Sequence, residues 1–153
     1  MEESMYEHIL ISTDGSDVAR KGVESGLALA KDLGARATII TVTERLGNHG
    51  GSPKWDPNSG ERPGYEDSLS QEEVADEILA SAMVTARKLG VEADTLHVPD
   101  AVPADAIIET AKTRNCQLIA MASHGRSGLG RVLLGSQTSD VLARCGIPVL
   151  VVR

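Results

Sequence analysis

Aromatic residues and positive charge are both scarce in this chain of 153 residues. Phenylalanine is absent and aromatics make up only 2%, so the core must be built from Val, Ile, Leu, Ala and Met. Few rings remain on which the bases of a single-stranded nucleic acid could stack. With 15 Lys and Arg against 22 Asp and Glu, the net charge of −7 lacks the basic field that binds polyanions. We therefore expect no nucleic-acid partner, whereas a small phosphate ligand held by backbone donors stays open.

The sequence also lacks a CxxC motif, histidines at the spacing of metal ligands, and long apolar runs. Cys116 and Cys145 form no CxxC motif and are interpreted as reduced, mostly buried thiols, although the sequence leaves a disulfide open. The histidines show no spacing typical of a metal site. No apolar run approaches the ~20 residues that span a bilayer, and residues 1–7 are too polar for a signal peptide. These absences predict a cytoplasmic protein with no membrane partner and no metal site.

The sequence does contain a regular alternation of strand and helix patterns. Apolar and β-branched runs predict strands at 8–12, 38–43, 93–98, 118–122 and 148–152. Apolar residues spaced three and four apart predict the helices between them. The small polar residues at 13–16 suit a loop followed by a helix N-cap, and Ser136 is predicted to cap the last helix. The alternation predicts a single α/β domain over 1–153, with an open, doubly wound, five-stranded parallel sheet and helices on both faces.

Residues 46–69 interrupt this alternation. They are rich in Gly, Pro, Asn, Ser and charge, which predicts a flexible surface insertion. Whether the insertion covers a ligand as a lid is left open. Ser70-Gln71-Glu72-Glu73 has the capping-box pattern, so the next helix is predicted to begin at Ser70.

Two segments lie where ligands bind in such sheets, at the carboxyl ends of strands. Residues 12–16 follow the first strand and residues 122–136 follow the fourth. The second segment combines glycines, hydroxyls, arginines and a histidine, and its successive amides can form an anion nest. Gly135-Ser136 at a helix start adds free N–H groups and the positive end of the helix dipole. The sequence predicts a phosphate site between Ala122 and Thr138; a glycine-rich surface turn before a capped helix is the alternative.

The spacing of this segment resembles the nucleotide loop of the universal stress protein family, written Gly-x-x-Gly, nine residues, Gly-Ser or Thr. Gly125 and Gly135 have the nine-residue spacing, and Ser136 follows. The opening at 8–16 and the ending at 147–152 resemble the same family. The resemblance implies a Rossmann-like fold of the adenine nucleotide alpha hydrolase kind and the ATP-binding subgroup. Ala122 replaces the first motif glycine, and we expect it to be tolerated at the end of a strand with an ordinary φ.

The resemblance also implies a ligand, ATP or AMP with or without magnesium, and a set of residues around it. The residues expected near the adenosine are Ser12, Thr13, Asp14 and Val42. Those expected near the ribose and α-phosphate are Met121, Ala122 and His124. Those expected at the phosphates are Gly125, Arg126, Ser127, Gly135, Ser136, Gln137 and Thr138.

No catalytic set is predicted. No nucleophile-elbow context occurs, and no second acid accompanies Asp14 as metal-assisted phosphoryl transfer usually needs. The predicted function is a stress-response regulator that binds an adenine nucleotide and signals to an unidentified protein partner. Two alternatives stay open: a slow ATPase or self-phosphorylating protein, modified at Ser127 or Ser136, and a nucleotide-free dimeric interaction module. The apolar strand 148–152 would invite pairing at a sheet edge, which agrees with the family's antiparallel dimer and predicts a homodimer.

Overall fold

The computed structural model describes residues 4–44, 65–124 and 134–153, with the backbone alone for 65–70. The elements in chain order are β1 (His8–Ser12), α1 (Asp17–Leu33), β2 (Arg36–Val42), α2 (Tyr65–Leu89), β3 (Ala93–Val98), α3 (Pro103–Thr113), β4 (Leu118–Ala122), α4 (Ser136–Arg144) and β5 (Val149–Val152). The five strands form one parallel sheet in the order β3-β2-β1-β4-β5. The predicted α/β fold with a five-stranded parallel sheet is confirmed.

The sheet is buried on both faces, which explains its nearly continuous apolar strands. Ile9 and Ile11 of β1 pack into a cluster with α1 and α2, whereas Leu10 packs into a second cluster with α3 and α4. Successive side chains of a strand point to opposite faces, so one strand serves both layers. Within the described ranges, no helix is long and apolar enough to cross a membrane.

The small residues of the core allow close approach of helix and sheet. A Cβ atom added at Gly26 of α1 would lie 2.9 Å from Ile11 Cδ1 and 3.2 Å from Ala120 Cβ. Real Cβ atoms do not tolerate the shorter distance, so α1 could not lie this close to β1 and β4 with a larger residue there. Because the helix and sheet layers pack closely, small aliphatic side chains fill this core without aromatic residues.

The helix caps follow the sequence at α1 and depart from it at α4. Ser16 accepts a hydrogen bond from Ala19 N at 3.2 Å, so the N-cap predicted at the polar residues 13–16 is confirmed and falls on Ser16. At α4 the prediction is wrong: Gly135 is the N-cap, without a side-chain bond, and Ser136 is the first helical residue. The cap is a glycine because its Cβ would lie only 3.1 Å from the backbone Cα of His124.

The second helix begins earlier than predicted. It starts at Tyr65 rather than at Ser70, so residues 65–69 belong to α2 and not to an insertion. The last helix-breaking residues of this region are Pro63 and Gly64, and neither Gly nor Pro recurs before Gly90. Residues 46–64 of the predicted insertion lie outside the described residues.

Candidate functional site at the carboxyl end of the sheet

The central strands bring the two predicted segments to one end of the sheet. β1 and β4 are parallel neighbours, with Ile11 opposite Ala120, and β2 lies on the other side of β1, with Ser12 opposite Ile40. Parallel strands end on the same side, so the residues that follow them lie side by side. The predicted residues collected at this carboxyl end are Ser12, Thr13, Asp14, Val42, Met121, Ala122 and His124.

The turn after β1 is fixed by its own polar groups. Thr13 N donates to the Ile40 carbonyl at 3.0 Å, and Thr13 Oγ1 accepts from Gly15 N at 3.2 Å. Asp14 Oδ1 accepts from Ser16 N at 2.9 Å. Gly15 has a φ of 80°, a conformation that favours glycine. Asp14 therefore has a structural role in orienting this turn in front of α1, whatever it also contributes to a ligand.

Ala122, which stands where the family motif has a glycine, is an ordinary strand residue. It ends β4 and pairs in register with Val152 of β5. Among the described non-glycine residues, positive φ occurs at Asp100 and Asn115 only. The expectation of an ordinary φ at Ala122 is confirmed, and alanine causes no backbone strain at this position.

The two ends of the predicted phosphate loop are in direct contact. Gly135 N donates to the Ser123 carbonyl at 2.7 Å, and a Cβ at Gly135 would lie 3.1 Å from the Cα of His124, so a side chain there would need the backbone to shift slightly. Residues 125–133 between them, with the predicted ligands Gly125, Arg126 and Ser127, lie outside the described residues. The contact places the N-terminus of α4 against the end of β4.

Two predicted phosphate ligands use their side chains elsewhere. Gln137 Oε1 accepts from Ala104 N at 3.0 Å and so caps α3, whose own N-cap, Val102, has no capping side chain. Thr138 is buried, and its hydroxyl donates to the Ala122 carbonyl at 2.9 Å. Both side chains position α4, and what they can still offer a ligand is their backbone N–H.

The first turn of α4 presents an anion-binding arrangement. The first intrahelical bond runs from Ser139 N to the Gly135 carbonyl, so the amides of Ser136, Gln137 and Thr138 have no partner inside the helix. This turn contains no acidic residue. The free N–H groups and the positive end of the helix dipole both favour a phosphate here.

Ser123 is a residue of this site that the sequence analysis missed. Its amide donates to the Val152 carbonyl at 2.7 Å, and its hydroxyl lies 3.0 Å from His124 Nδ1. Together with the bond from Gly135, these contacts join β5, the end of β4 and the start of α4. The one signal in the sequence is a small polar residue directly after a buried strand.

A cleft of about 470 Å³ opens beside the turn after β1, between α1 and α2. Thr13 and Gly15 lie at its wall, and its charged lining residues are Arg20, Glu24 and Glu77. Two carboxylates against one guanidinium give the cleft no surplus of positive charge for a phosphate. Among the described residues at this end of the sheet, the groups suited to a phosphate are therefore the amides of α4.

Comparison with known proteins identifies the family. The family model described as the universal stress protein family matches residues 5–153. Universal stress protein MJ0531 of Methanocaldococcus jannaschii is 33% identical over 154 residues, which cover 99% of this chain and 84% of that protein. A universal stress protein solved in complex with cAMP has a TM-score of 0.72 at 25% identity, over 98% of this chain and 99% of that one. One from Archaeoglobus fulgidus in complex with dAMP has a TM-score of 0.64 at 20% identity, over 97% and 99%. The chain belongs to the universal stress protein family.

Proposed function

We propose that this protein binds an adenine nucleotide, ATP or AMP, at the carboxyl end of its sheet and acts as a regulatory module of the stress response. The observation that supports this most directly is the N-terminus of α4, which the bond from Gly135 N to the Ser123 carbonyl holds against β4. Its amides lack helical partners, and no acid competes with a phosphate in the first turn. Structures with this fold have been solved with cAMP and with dAMP, both adenine nucleotides.

Within this proposal, the adenosine lies against the ends of β1 and β2, and the phosphates lie at α4. Ser12, Thr13, Asp14 and Val42 surround the adenosine, while Met121, Ala122 and His124 line the ribose. Backbone amides of residues 136–138 bind the phosphates, together with Gly125, Arg126 and Ser127 of the loop. We propose a binding protein rather than an enzyme, and the slow ATPase or self-phosphorylating protein is the alternative.

Calorimetric titration of the nucleotide-stripped protein tests this proposal, with AMP and ATP and with and without magnesium. We expect saturable binding that weakens at least about tenfold in Gly135→Ala, because the new methyl group pushes α4 away from His124. Gly146→Ala is the matched control, since a Cβ there meets nothing within 4 Å and binding should change less than about twofold. A wild-type protein that binds neither nucleotide contradicts the proposal and favours the nucleotide-free interaction module.

We also propose a homodimer through the C-terminal strand, residues 148–152. β5 is the last strand of the sheet and pairs only with β4 within the described chain. The Pro148 and Val152 carbonyls accept from β4, so the amides of Val149 and Val151 point away from it. An unpaired strand edge of this kind can be satisfied by the same strand of a second copy.

Molar mass by light scattering tests the dimer. Val151→Pro removes an outward N–H and leaves the bonds to β4 in place, so it should convert a dimer to a monomer at micromolar concentration. Val151→Thr keeps the N–H and the β-branched shape and should remain dimeric. A monomeric wild-type chain contradicts the proposal.

A further inference from the structure

The amino end of the sheet contains a polar cluster, buried at His8 and Thr38 and exposed at Asp94, that the proposed function does not use. His8 begins β1 and is 6% exposed, and Thr38 of β2 is fully buried. His8 Nε2 lies 2.7 Å from Thr38 Oγ1, and Thr38 Oγ1 lies 2.6 Å from Asp94 Oδ1 of β3. On its other side, His8 Nδ1 lies 3.1 Å from the carbonyl of Arg114, which follows α3. The cluster thus links three strands to the turn between α3 and β4.

The direction of each hydrogen bond follows from counting protons. Arg114 Nη1 donates to Asp94 Oδ2 at 2.6 Å. Burial raises the pKa of Asp94, but the hydrogen bonds from Thr38 and Arg114 outweigh it and bring the pKa below its usual value. The ionised carboxylate only accepts, so the single hydroxyl proton of Thr38 goes to Asp94. Thr38 must then accept from His8 Nε2, and the Arg114 carbonyl must accept from Nδ1. The cluster thus has four bonds: from His8 to the Arg114 carbonyl, from His8 to Thr38, from Thr38 to Asp94 and from Arg114 to Asp94. All four form together only when both ring nitrogens of His8 carry a hydrogen, that is, when His8 is an imidazolium.

The surroundings of the ring oppose this second proton. Burial lowers the pKa of His8 from its usual 6.5, and the Arg36 and Arg114 charges lower it further, while the bond to the Arg114 carbonyl and the Asp94 charge raise it. Glu92 also lines the cleft of about 470 Å³ beside the cluster. Burial raises the pKa of the neighbouring Cys116 thiol to about 11, so this group stays neutral. The ring is therefore neutral near pH 7 and gains its second proton on acidification.

A neutral ring must give up one bond. With the hydrogen on Nδ1, Thr38 would turn to Nε2 and leave its oxygen 2.6 Å from a carboxylate oxygen with no proton between them. With the hydrogen on Nε2, the bond from Thr38 to Asp94 survives, and the Nδ1 lone pair faces the Arg114 carbonyl. Bonds to an ionised carboxylate are roughly twice as strong as neutral ones, so the second arrangement is favoured. The contact that breaks is the one between His8 and Arg114.

We propose that His8 is a proton-operated link, which in its protonated form bonds the Arg114 carbonyl in the turn between α3 and β4 and in its neutral form gives up that bond, while Gln117 continues to join the turn to β1. The turn has a non-glycine residue in the left-handed region, Asn115 with a φ of 54°, and Gln117 Nε2 supports it by donating to the Asn115 carbonyl at 2.8 Å. A backbone in this region is sustained by its contacts, so losing one of them shifts its conformation. From this turn β4 leads directly to Ser123 and the candidate site.

Nuclear magnetic resonance of the ¹⁵N-labelled full chain, from about pH 5 to about pH 8.5, tests the link by reporting the protons on both ring nitrogens. We expect His8 to be doubly protonated at the acid end and to carry its hydrogen on Nε2 at the alkaline end. The amide signals of Asn115 and Cys116 should shift with the same midpoint. A ring that carries its hydrogen on Nδ1 when neutral, or turn amides that do not follow the ring, would overturn the proposal.

Substitution of the relay oxygen separates this link from general acid sensitivity. Thr38→Val keeps the shape but removes the acceptor of Nε2, so the proton affinity of His8 should fall about tenfold, and Thr38→Ser should restore it. Thr43→Val is the matched control, because Thr43 Oγ1 contacts His97 Nε2 at 2.9 Å at the other end of the same two strands. An unchanged His8 midpoint in Thr38→Val contradicts the proposal. If that variant does not fold, Asp94→Asn removes the charge that favours the imidazolium, and its His8 midpoint must also fall.

Discussion

The two ends of this parallel sheet use polar groups in opposite ways. At the amino end, His8, Thr38 and Asp94 are bonded to one another, so their polarity stabilises the fold. At the carboxyl end, the first-turn amides of α4 have no partner inside their helix, and we propose that they bind a ligand. The difference arises from topology, because every helix that follows a parallel strand begins at the carboxyl end and directs its free N–H groups there. Substitutions in the cluster at the amino end should therefore change stability, and those that displace the first turn of α4 at the carboxyl end should change binding.

The largest effect on stability is expected from Thr38→Val. This substitution leaves the buried His8 without its partner and removes the hydroxyl that donates to the exposed Asp94, which should lower the free energy of unfolding by about 1–3 kcal/mol. Because nothing at the carboxyl end changes, the affinity for AMP should stay within about twofold of the wild type. Urea denaturation and calorimetry measure the two quantities, and a loss of affinity without a loss of stability would refute the division between the ends.

A smaller loss of stability, with a larger loss of affinity, is expected from Thr138→Val. The Ala122 carbonyl loses its donor, which should cost about 1 kcal/mol. The first turn of α4 also loses its attachment to β4. The free energy of AMP binding should therefore fall by more than the free energy of unfolding does. Thr138→Ser keeps the hydroxyl and should behave as the wild type in both measurements. Equal losses in stability and binding would mean that the hydroxyl only holds the fold together.

Ala122→Gly tests whether the missing motif glycine matters. Glycine inside a strand should lower the free energy of unfolding by about 0.5–1 kcal/mol, because the unfolded chain gains conformational freedom. Since Ala122 already has an ordinary φ, restoring the family residue should change AMP affinity less than about twofold. A large gain in affinity would show that the ligand needs the space that the methyl group occupies.

The smallest perturbation is chemical labelling of the two free thiols, which tests whether solvent reaches the amino end of the sheet in the folded protein. Cys116 is buried, and burial raises its pKa to about 11, whereas Cys145 is partly exposed. A thiol reagent at pH 8 should therefore modify Cys145 rapidly and Cys116 only on unfolding. Mass spectrometry of the labelled peptides distinguishes the two. Rapid labelling of Cys116 in the native protein would show that the amino end opens.

Local patterns predicted the strands well because their cause is local. β1, β3 and β4 have the predicted bounds, whereas β2 runs from Arg36 to Val42 and not over the predicted 38–43. Ser16 caps α1 through a bond to a residue three positions away. Capping of α4 could not be predicted in the same way. The glycine at its N-cap is required by contact with His124, a neighbour in space across the loop.

The polar contacts between segments far apart in the chain could not be predicted from the sequence. Gln137 resembles a phosphate ligand when only its own segment is considered, yet it caps α3 across a separation of 33 residues. The contact between His8 and Arg114 spans 106 residues, and no local periodicity encodes such a pair. The resemblance to the family located the candidate site, whereas the roles of these side chains required the packed structure.

The order of the strands also determines when this protein can acquire its site during synthesis. The central strand β1 is made first, but its neighbour β4 begins only at Leu118, and Gln117 Oε1 accepts from the amides of Glu7 and His8 across the whole intervening chain. Contacts of such long range form late, because loop-closure entropy opposes them until both partners are available. The end of β4 is also the place where Ser123 meets both α4 and β5. A ribosome must therefore release the chain as far as β5 before the five-stranded sheet is complete, and the arrangement proposed to bind a nucleotide forms in that same step.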